Sequence, residues 1–316
     1  MRIALTGATG FVGGHVVDAA LAAGHEVVAL TRRTKGPREG VEWVAGSLED
    51  GASLVTLATG ADAIIHIAGV ISATERGGFE QGNVVGTGAV LAAAVAAGVA
   101  RLVHVSSLAA REPQLSRYGA SKARSEQLVS AAPLSHAIVR PPAVYGPGDR
   151  ETLELFKMAA KGLIVLPPKA ARLSLIHVED LARLLVALAA PAAPSGATYE
   201  PDDGHRGGWS QAEFGAALGA AVGRKPLAIH APATLMKLAA LADRAARGKA
   251  AKLTPDRAAY FAHPDWVADP ALAVPSALWQ PRIATDQGLA DTAAWYRAAG
   301  WLSGAGTPAG PPAPPR

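Results

Sequence analysis

The segment Thr6-Gly7-Ala8-Thr9-Gly10-Phe11-Val12-Gly13 follows an apolar run at residues 2–6 and opens an alanine-rich stretch at residues 11–23. No other feature narrows the fold as far. With 34 glycines in 316 residues, three glycines at this spacing arise by accident about 0.4 times per chain, so the information lies in their place between a strand and a helix. A side chain at Gly7 or Gly10 would keep the backbone from a pyrophosphate, and Gly13 lets helix and strand pack closely. The helix N-terminus then receives the negative charge. Gly7, Thr9, Gly10, Phe11, Val12 and Gly13 therefore read as a dinucleotide-binding turn.

The surrounding pattern agrees. Short, near-continuous apolar runs at 2–6, 26–31, 41–45, 63–67, 102–106 and 136–140 alternate with helical stretches at 11–23, 86–97 and 118–131. Strands buried on both faces look like this, and crossover helices cover them. Gly24 and Gly98 stand as helix stops. The fold class expected is α/β, a Rossmann-type doubly wound parallel sheet with a smaller mixed C-terminal lobe. After Pro141-Pro142, frequent prolines cut the chain into short pieces. The expected division is a nucleotide-binding domain at 1–168, to which a segment at 173–200 returns, a smaller substrate lobe at 201–303, and a disordered Gly/Ala/Pro tail at 304–316.

Composition removes several classes of function. Thirty Lys plus Arg against 26 Asp plus Glu leave a net charge of +4 without a basic block, which does not suit a nucleic-acid partner. There are no cysteines, so disulfides, thiol catalysis and cysteine-ligated metal are excluded. The longest small-apolar stretch, 90–100, is too short to span a bilayer, and the apolar start is interrupted by His15 and Asp18. A cytoplasmic protein is expected, with peripheral membrane contact and a homodimer left open.

Two further clusters carry chemistry. The second apolar run ends in Arg32-Arg33, where an acidic residue would hold the ribose of NAD. Arginines there suit the 2′-phosphate of NADP, so NADP is favoured with NAD possible. Tyr118 and Lys122 stand four apart on a helical stretch, hence on one face. A phenol is a weak base at neutral pH, but a nearby ammonium favours its ionised form. Ser106-Ser107 end the preceding strand, the place where active sites of open parallel sheets collect.

In order, Gly7-x-x-Gly10-x-x-Gly13, Val105-Ser106-Ser107 and Tyr118-x-x-x-Lys122 resemble the short-chain dehydrogenase/reductase superfamily. His66-Ile67-Ala68-Gly69, Asn83-Val84-Val85-Gly86-Thr87, Arg140-Pro141-Pro142-x-Val144-Tyr145-Gly146-Pro147 and His177-Val178-x-Asp180 are similar to further blocks of its extended branch, the NAD-dependent epimerase/dehydratase group. The resemblance implies that Ser107 orients a substrate oxygen, Tyr118 transfers a proton, and Lys122 holds the nicotinamide ribose and tunes the tyrosine. It also implies cofactor contacts at Ala68, Gly69, Tyr118, Lys122 and Pro141. The implied activity is NAD(P)-dependent hydride transfer between nicotinamide and a secondary alcohol or ketone. A nucleotide-sugar epimerase and a noncatalytic accessory subunit of a respiratory complex are the alternatives.

Departures from the family pattern bear on substrate. The dehydratases' Thr-Asp-Glu is replaced by Ser107-Leu108-Ala109, and the Arg-Asp pair of nucleotide-sugar enzymes falls on Leu173-Ser174, with Arg172 one residue early. Tyr118 follows Ser107 at an offset of eleven, shorter than in typical sugar epimerases. The lean is toward a small apolar alcohol or ketone, as in relatives resembling 3β-hydroxysteroid dehydrogenases.

The remaining residues have quieter readings. Asn83 reads first as a helix cap, His66 and His177 as strand-end hydrogen bonders, and Asp202, Asp203 and His205 as a polar turn without metal. Leu235, Leu238, Ala239, Leu241 and Ala242 form an apolar stripe among Lys237, Arg244, Arg247, Lys249 and Lys252, expected to pack on the second lobe. Trp295 and Trp301 read as packing anchors.

Overall fold

The computed structural model describes residues 1–72, 77–248 and 254–303. The predicted tail at 304–316, and Lys249 and Lys252 of the basic stretch, lie outside them. Along the chain come β1 (Arg2–Thr6), α1 (Phe11–Ala22), β2 (Glu26–Thr31), β3 (Val41–Ala45), α2 (Gly51–Ala58), β4 (Ala63–His66), α3 (Gly86–Ala96), β5 (Arg101–Val105), α4 (Arg117–Ala131) and β6 (Ser135–Val139). They are followed by β7 (Ala143–Tyr145), α5 (Leu153–Ala160), β8 (Leu163–Leu166), β9 (Arg172–Leu173), β10 (Leu175–His177), α6 (Val178–Leu188) and β11 (Ala197–Tyr199). Then come β12 (Trp209–Ser210), α7 (Gln211–Val222), β13 (Leu227–His230), α8 (Ala233–Arg247), α9 (Pro255–Ala262), β14 (Asp265–Trp266) and α10 (Thr285–Ala298).

Seven strands form one parallel sheet in the order β11-β6-β5-β4-β1-β2-β3. The chain starts at β1, winds outward through β2 and β3, and returns to β4 on the other side of β1. The strand order therefore reverses at β1 and β4, where a doubly wound sheet opens a crevice at its carboxyl edge. Val28, Leu54, Leu57, Ile64, Val90 and Leu102 are among the residues of one core layer. Gly24 and Gly98 take φ of +75° and +69° just past α1 and α3, the left-handed turn a Cβ resists.

The chain divides into two compact units, Met1–Pro141 with Glu179–Pro201 and Pro270–Gln280, and Pro142–Val178 with Asp202–Asp269 and Pro281–Arg316. The division falls at Pro141, not at residue 168. Consecutive prolines offer no amide donors, so the β6 ladder cannot continue past them. The strand expected near 173–176 also goes elsewhere: β10 pairs with β7 in the second unit, whereas β11 adds to the edge of the large sheet. The second unit has its own core, with Phe156, Ile164, Leu175, Leu218, Leu289 and Tyr296 fully or nearly fully buried. Trp295 and Trp301 pack against it, their rings edge-on at 5.0 Å.

The stripe on α8 departs from expectation. Ala240 is fully buried, while Leu235, Leu238 and Leu241 are 55%, 63% and 56% exposed. The apolar face points away from the lobe. Hydrophobic spacing identifies an apolar face but not its direction, and Ala240 lies about 140° around the helix from Leu235.

Candidate active site

The glycine turn leaves the carboxyl end of β1 and closes on itself by Gly10 N donating to Gly7 O at 2.9 Å. Gly7 has φ +79°, and a Cβ there would meet the Ala68 amide nitrogen at 2.7 Å. A Cβ on Gly13 would lie 2.0 Å from Gly7 O. Gly7 thus brings the turn against the end of β4, and Gly13 seats α1 on the turn. Gly10 caps α1 without any side-chain bond, and the first turn carries no acidic residue, so the amides from Phe11 onward and the positive end of the helix dipole meet no carboxylate of their own helix. Thr9 and Gly10 are exposed. This cradle fits a pyrophosphate.

Beside it, Thr6 Oγ1 bonds His66 Nδ1 at 2.7 Å and accepts from Ala68 N at 3.2 Å, while His66 Nε2 meets Thr87 Oγ1 at 3.0 Å. His66 is therefore the strand-end hydrogen bonder expected. Its pKa is drawn down to about 3 by burial and then by the Lys122 charge. The His66 ring stacks at 5.4 Å on His104, whose pKa is lowered for the same reasons. Ala68 and Gly69 lie in the loop between β4 and α3. A Cβ on Gly69 would meet Asn83 Oδ1 at 2.8 Å.

Asn83 does not cap a helix. Its Oδ1 accepts from Val70 N at 2.6 Å, and its Nδ2 donates to Val70 O at 3.0 Å and Ser121 Oγ at 2.8 Å. It ties the loop after β4 to α4. Arg32 and Arg33, at the end of β2, are exposed, and neither forms an ion pair among the described residues. Thr31 Oγ1 shapes the bend by donating to Arg33 O at 2.7 Å.

Ser107, Tyr118 and Lys122 gather at the carboxyl end of β5. Ser107 ends the strand and accepts from Ala109 N at 3.2 Å, opening a single 3-10 turn, Leu108–Arg111. Leu108 N reaches back to Pro141 O at 3.1 Å, which places Pro141 behind this turn. Ser116 caps α4 and sets Tyr118 in its first turn. Burial raises the Tyr118 phenol above its ordinary pKa, and the nearby Ser107 hydroxyl draws it partly back. Phe79 packs against the Tyr118 ring at 6.0 Å.

Lys122 is buried and donates from Nζ to Val105 O at 2.7 Å. Burial brings its pKa down to about 8, against the pull of Glu126. Burial is the largest influence on the Tyr118 phenol, and the Lys122 amine is directed to the strand carbonyl of Val105.

A network absent from the sequence reading supports this end of the sheet. Glu126 accepts from Ser106 Oγ at 2.5 Å and from Arg140 Nε and Nη2 at 2.9 and 2.7 Å. Glu200 pairs with Arg140 at 3.3 Å and with Arg111 at 3.1 Å. Charge thus joins the Ser107 turn, through Arg111, to α4 and to the ends of β6 and β11. The only signal in the sequence was an acid four residues beyond Lys122.

In the second unit, Arg172 donates to Gly207 O and Gly208 O, both at 2.6 Å. Ser174 Oγ bonds Asp202 at 3.1 Å, and Asp203 accepts from Trp209 Nε1 at 2.7 Å and Thr285 Oγ1 at 2.5 Å. These acids are engaged in turn structure. His177 meets the Tyr145 ring edge-on at 5.3 Å.

The model of the NAD dependent epimerase/dehydratase family matches residues 3–200. The chain belongs to this family. It is 41% identical over 315 residues to the ceramide reductase of Caulobacter vibrioides, covering 95% of this chain and 96% of that protein. It is also 31% identical over 230 residues to the 4-hydroxy-2-methyl-3-oxo-4-farnesyl-3,4-dihydroquinoline-1-oxide ketoreductase of Stigmatella aurantiaca, covering 65% of this chain and 69% of that one. Among solved structures, the UDP-glucose 4-epimerase of Thermus thermophilus in complex with NAD superposes with a TM-score of 0.68 at 22% identity, over 95% of this chain and 100% of that one. Family membership makes the chain an NAD(P)-dependent enzyme type, and its relatives' names support oxidoreductase activity.

Proposed function

We propose that the protein is an NADP-preferring reductase that converts a ketone on a long-chain, ceramide-like amphiphile to the secondary alcohol, with Tyr118 as proton donor. The observation that carries this reading is the gathering of Ser107 and Tyr118 at the end of β5, where the serine hydroxyl draws the phenol's pKa down against burial, with buried Lys122 one helical turn on. The names of the two relatives above, a ceramide reductase and a ketoreductase of a farnesyl-bearing dihydroquinoline oxide, support the substrate class.

The residues divide the work. Gly7, Thr9, Gly10, Phe11, Val12 and Gly13 hold the cofactor's pyrophosphate, Arg32 and Arg33 receive the 2′-phosphate, and Ala68, Gly69 and Pro141 flank the cofactor. A bound reduced nicotinamide supplies hydride. Ser107 Oγ holds the substrate oxygen. Tyr118 gives its proton to that oxygen as negative charge develops there, so carbon gains hydrogen, oxygen gains a proton, and the phenolate is reprotonated from solvent. A phenol raised by burial remains protonated at neutral pH, the form a donor needs. Lys122, with its pKa near 8, keeps an ammonium beside the ribose and the emerging phenolate.

The test is consumption of NADPH and of NADH, followed by absorbance, with a long-chain keto-amide, a short-chain ketone and a nucleotide sugar. Tyr118→Phe should retain cofactor affinity and lose about 10²-fold or more in turnover. Unchanged turnover in that variant refutes the proton-donor role. Turnover of the nucleotide sugar without net cofactor change makes the protein an epimerase.

A further inference from the structure

The outward leucine face of α8 is not explained by the reaction above. Leu235, Leu238 and Leu241 recur every three residues and are each more than half exposed. Ala239, Ala242, Ala245 and Ala246, on the same broad side, are exposed as well. The opposite side is occupied, with Ala240 buried and Asp243 paired to Arg247 at 3.2 Å. Two residues before the helix, β13 pairs in parallel with β8, and that sheet also turns a face outward: Leu227, Ile229, Leu163 and Val165 are 68%, 47%, 43% and 44% exposed. The second unit thus carries two uncovered apolar surfaces on adjoining stretches of chain.

Charge selects the occupant. The helix carries Lys237, Arg244 and Arg247 against the single acid Asp243. A second copy docked through this face would bring two cationic helices together. An anionic lipid surface would neutralise them. At 15 residues the helix is about 22 Å long, and no helix among the described residues is long and apolar enough to cross a membrane. We infer that α8, whose sequence carries a net positive charge, lies on the surface of an anionic bilayer with its leucines among the acyl chains. This rests on the proposed lipid-like substrate for its purpose: a long-chain ketone is held in the bilayer, and an enzyme docked there meets it without waiting for it to dissolve.

The experiment is sedimentation of the full-length protein with sucrose-loaded vesicles of phosphatidylcholine containing phosphatidylglycerol, and with phosphatidylcholine alone. The protein should partition onto the anionic vesicles, and the triple variant Leu235→Ser, Leu238→Ser, Leu241→Ser should lose at least about tenfold in partitioning. Its melting temperature and its turnover of a short-chain ketone should be unchanged, since the replaced side chains are exposed. Because the chain has no cysteine, Leu238→Cys accepts one environment-sensitive fluorophore, which should brighten only with anionic vesicles. No binding, binding indifferent to the leucines, or a dimer that the triple variant abolishes would each overturn the inference. Leucine-dependent binding supports it even if no ketone is reduced, so failure of the activity reading is seen separately.

Discussion

Glu126→Gln tests whether the charge network at the end of β5 governs both stability and turnover. The carboxylate accepts three hydrogen bonds, one from Ser106 and two from Arg140, and its side chain is only 10% exposed. A carboxamide keeps the shape but turns an NH₂ group toward one of these donors, so the bidentate pair cannot form. Removing one partner of a buried ion pair costs about 3–5 kcal/mol. Arg140 retains Glu200 at 3.3 Å and is partly exposed, which puts the loss near the lower end, about 3 kcal/mol. For a domain of this size that lowers the melting temperature by about 6 °C or more. The variant also takes away the anion that holds up the pKa of Lys122, near 8 in the intact protein. The ammonium exists below its pKa, so a further fall moves the alkaline limb of the pH–rate profile to lower pH. Differential scanning fluorimetry and a profile with a soluble ketone read both effects. A melting temperature within about 1 °C of the parent, or an alkaline limb that stays in place, would show that Glu126 neither clamps the strand end nor tunes Lys122.

Other outcomes follow from single contacts. Gly13→Ala puts a methyl group 2.0 Å from Gly7 O, a backbone atom with nowhere to go; calorimetry should find cofactor affinity down by at least about tenfold, with a stability loss of about 2–3 kcal/mol. Arg32→Ala with Arg33→Ala should weaken NADP by about tenfold or more and leave NAD nearly unchanged, since only NADP offers a 2′-phosphate; equal loss for both would place the arginines elsewhere. Acid should destabilise the protein through its buried histidines. His66 titrates near 3 folded and near 6.5 unfolded, so between these values the unfolded state binds more protons and stability falls by about 1.4 kcal/mol per pH unit as pH drops. His104, lowered likewise, adds to that slope, and denaturant titrations from pH 6 to 4 on His104→Leu should show it reduced by about one histidine's share.

The large sheet was legible because its strands are buried on both faces and so read as unbroken apolar runs; the six expected in the first 140 residues match β1 to β6 to within one residue at each end. The seventh, β11, was legible as a strand. Its neighbour in sequence, β10, was read the same way but pairs with β7, because a three-residue strand specifies an extended segment and not a partner. The glycine turn was legible for a steric reason the structure makes concrete: the Cβ atoms that Gly7 and Gly13 lack would fall inside the backbone of Ala68 and of Gly7.

What stayed hidden depends on direction or on long separation. Helical spacing identified the α8 stripe without saying whether the lobe or the solvent receives it, and no local pattern links Glu126 to Arg140, 14 residues on, or Arg140 to Glu200, 60 residues on. The same limit governs the pair that spacing placed on one helical face. Four residues bring Tyr118 and Lys122 together, but the destination of the amine is set by a carbonyl at Val105, which belongs to another element. A buried ammonium bonded to a strand end fixes α4 against β5 whatever its charge does for the phenol. Lys122 is therefore a positioning group for the Ser107–Tyr118 contact as well as a source of charge. Lys122→Met removes both the bond and the charge: relief of the burial that lowers its pKa to about 8 offsets the lost bond to Val105, so stability near pH 7 is held or raised while turnover falls. A stability loss of several kcal/mol would show instead that the bond to Val105 outweighs the desolvation of the amine.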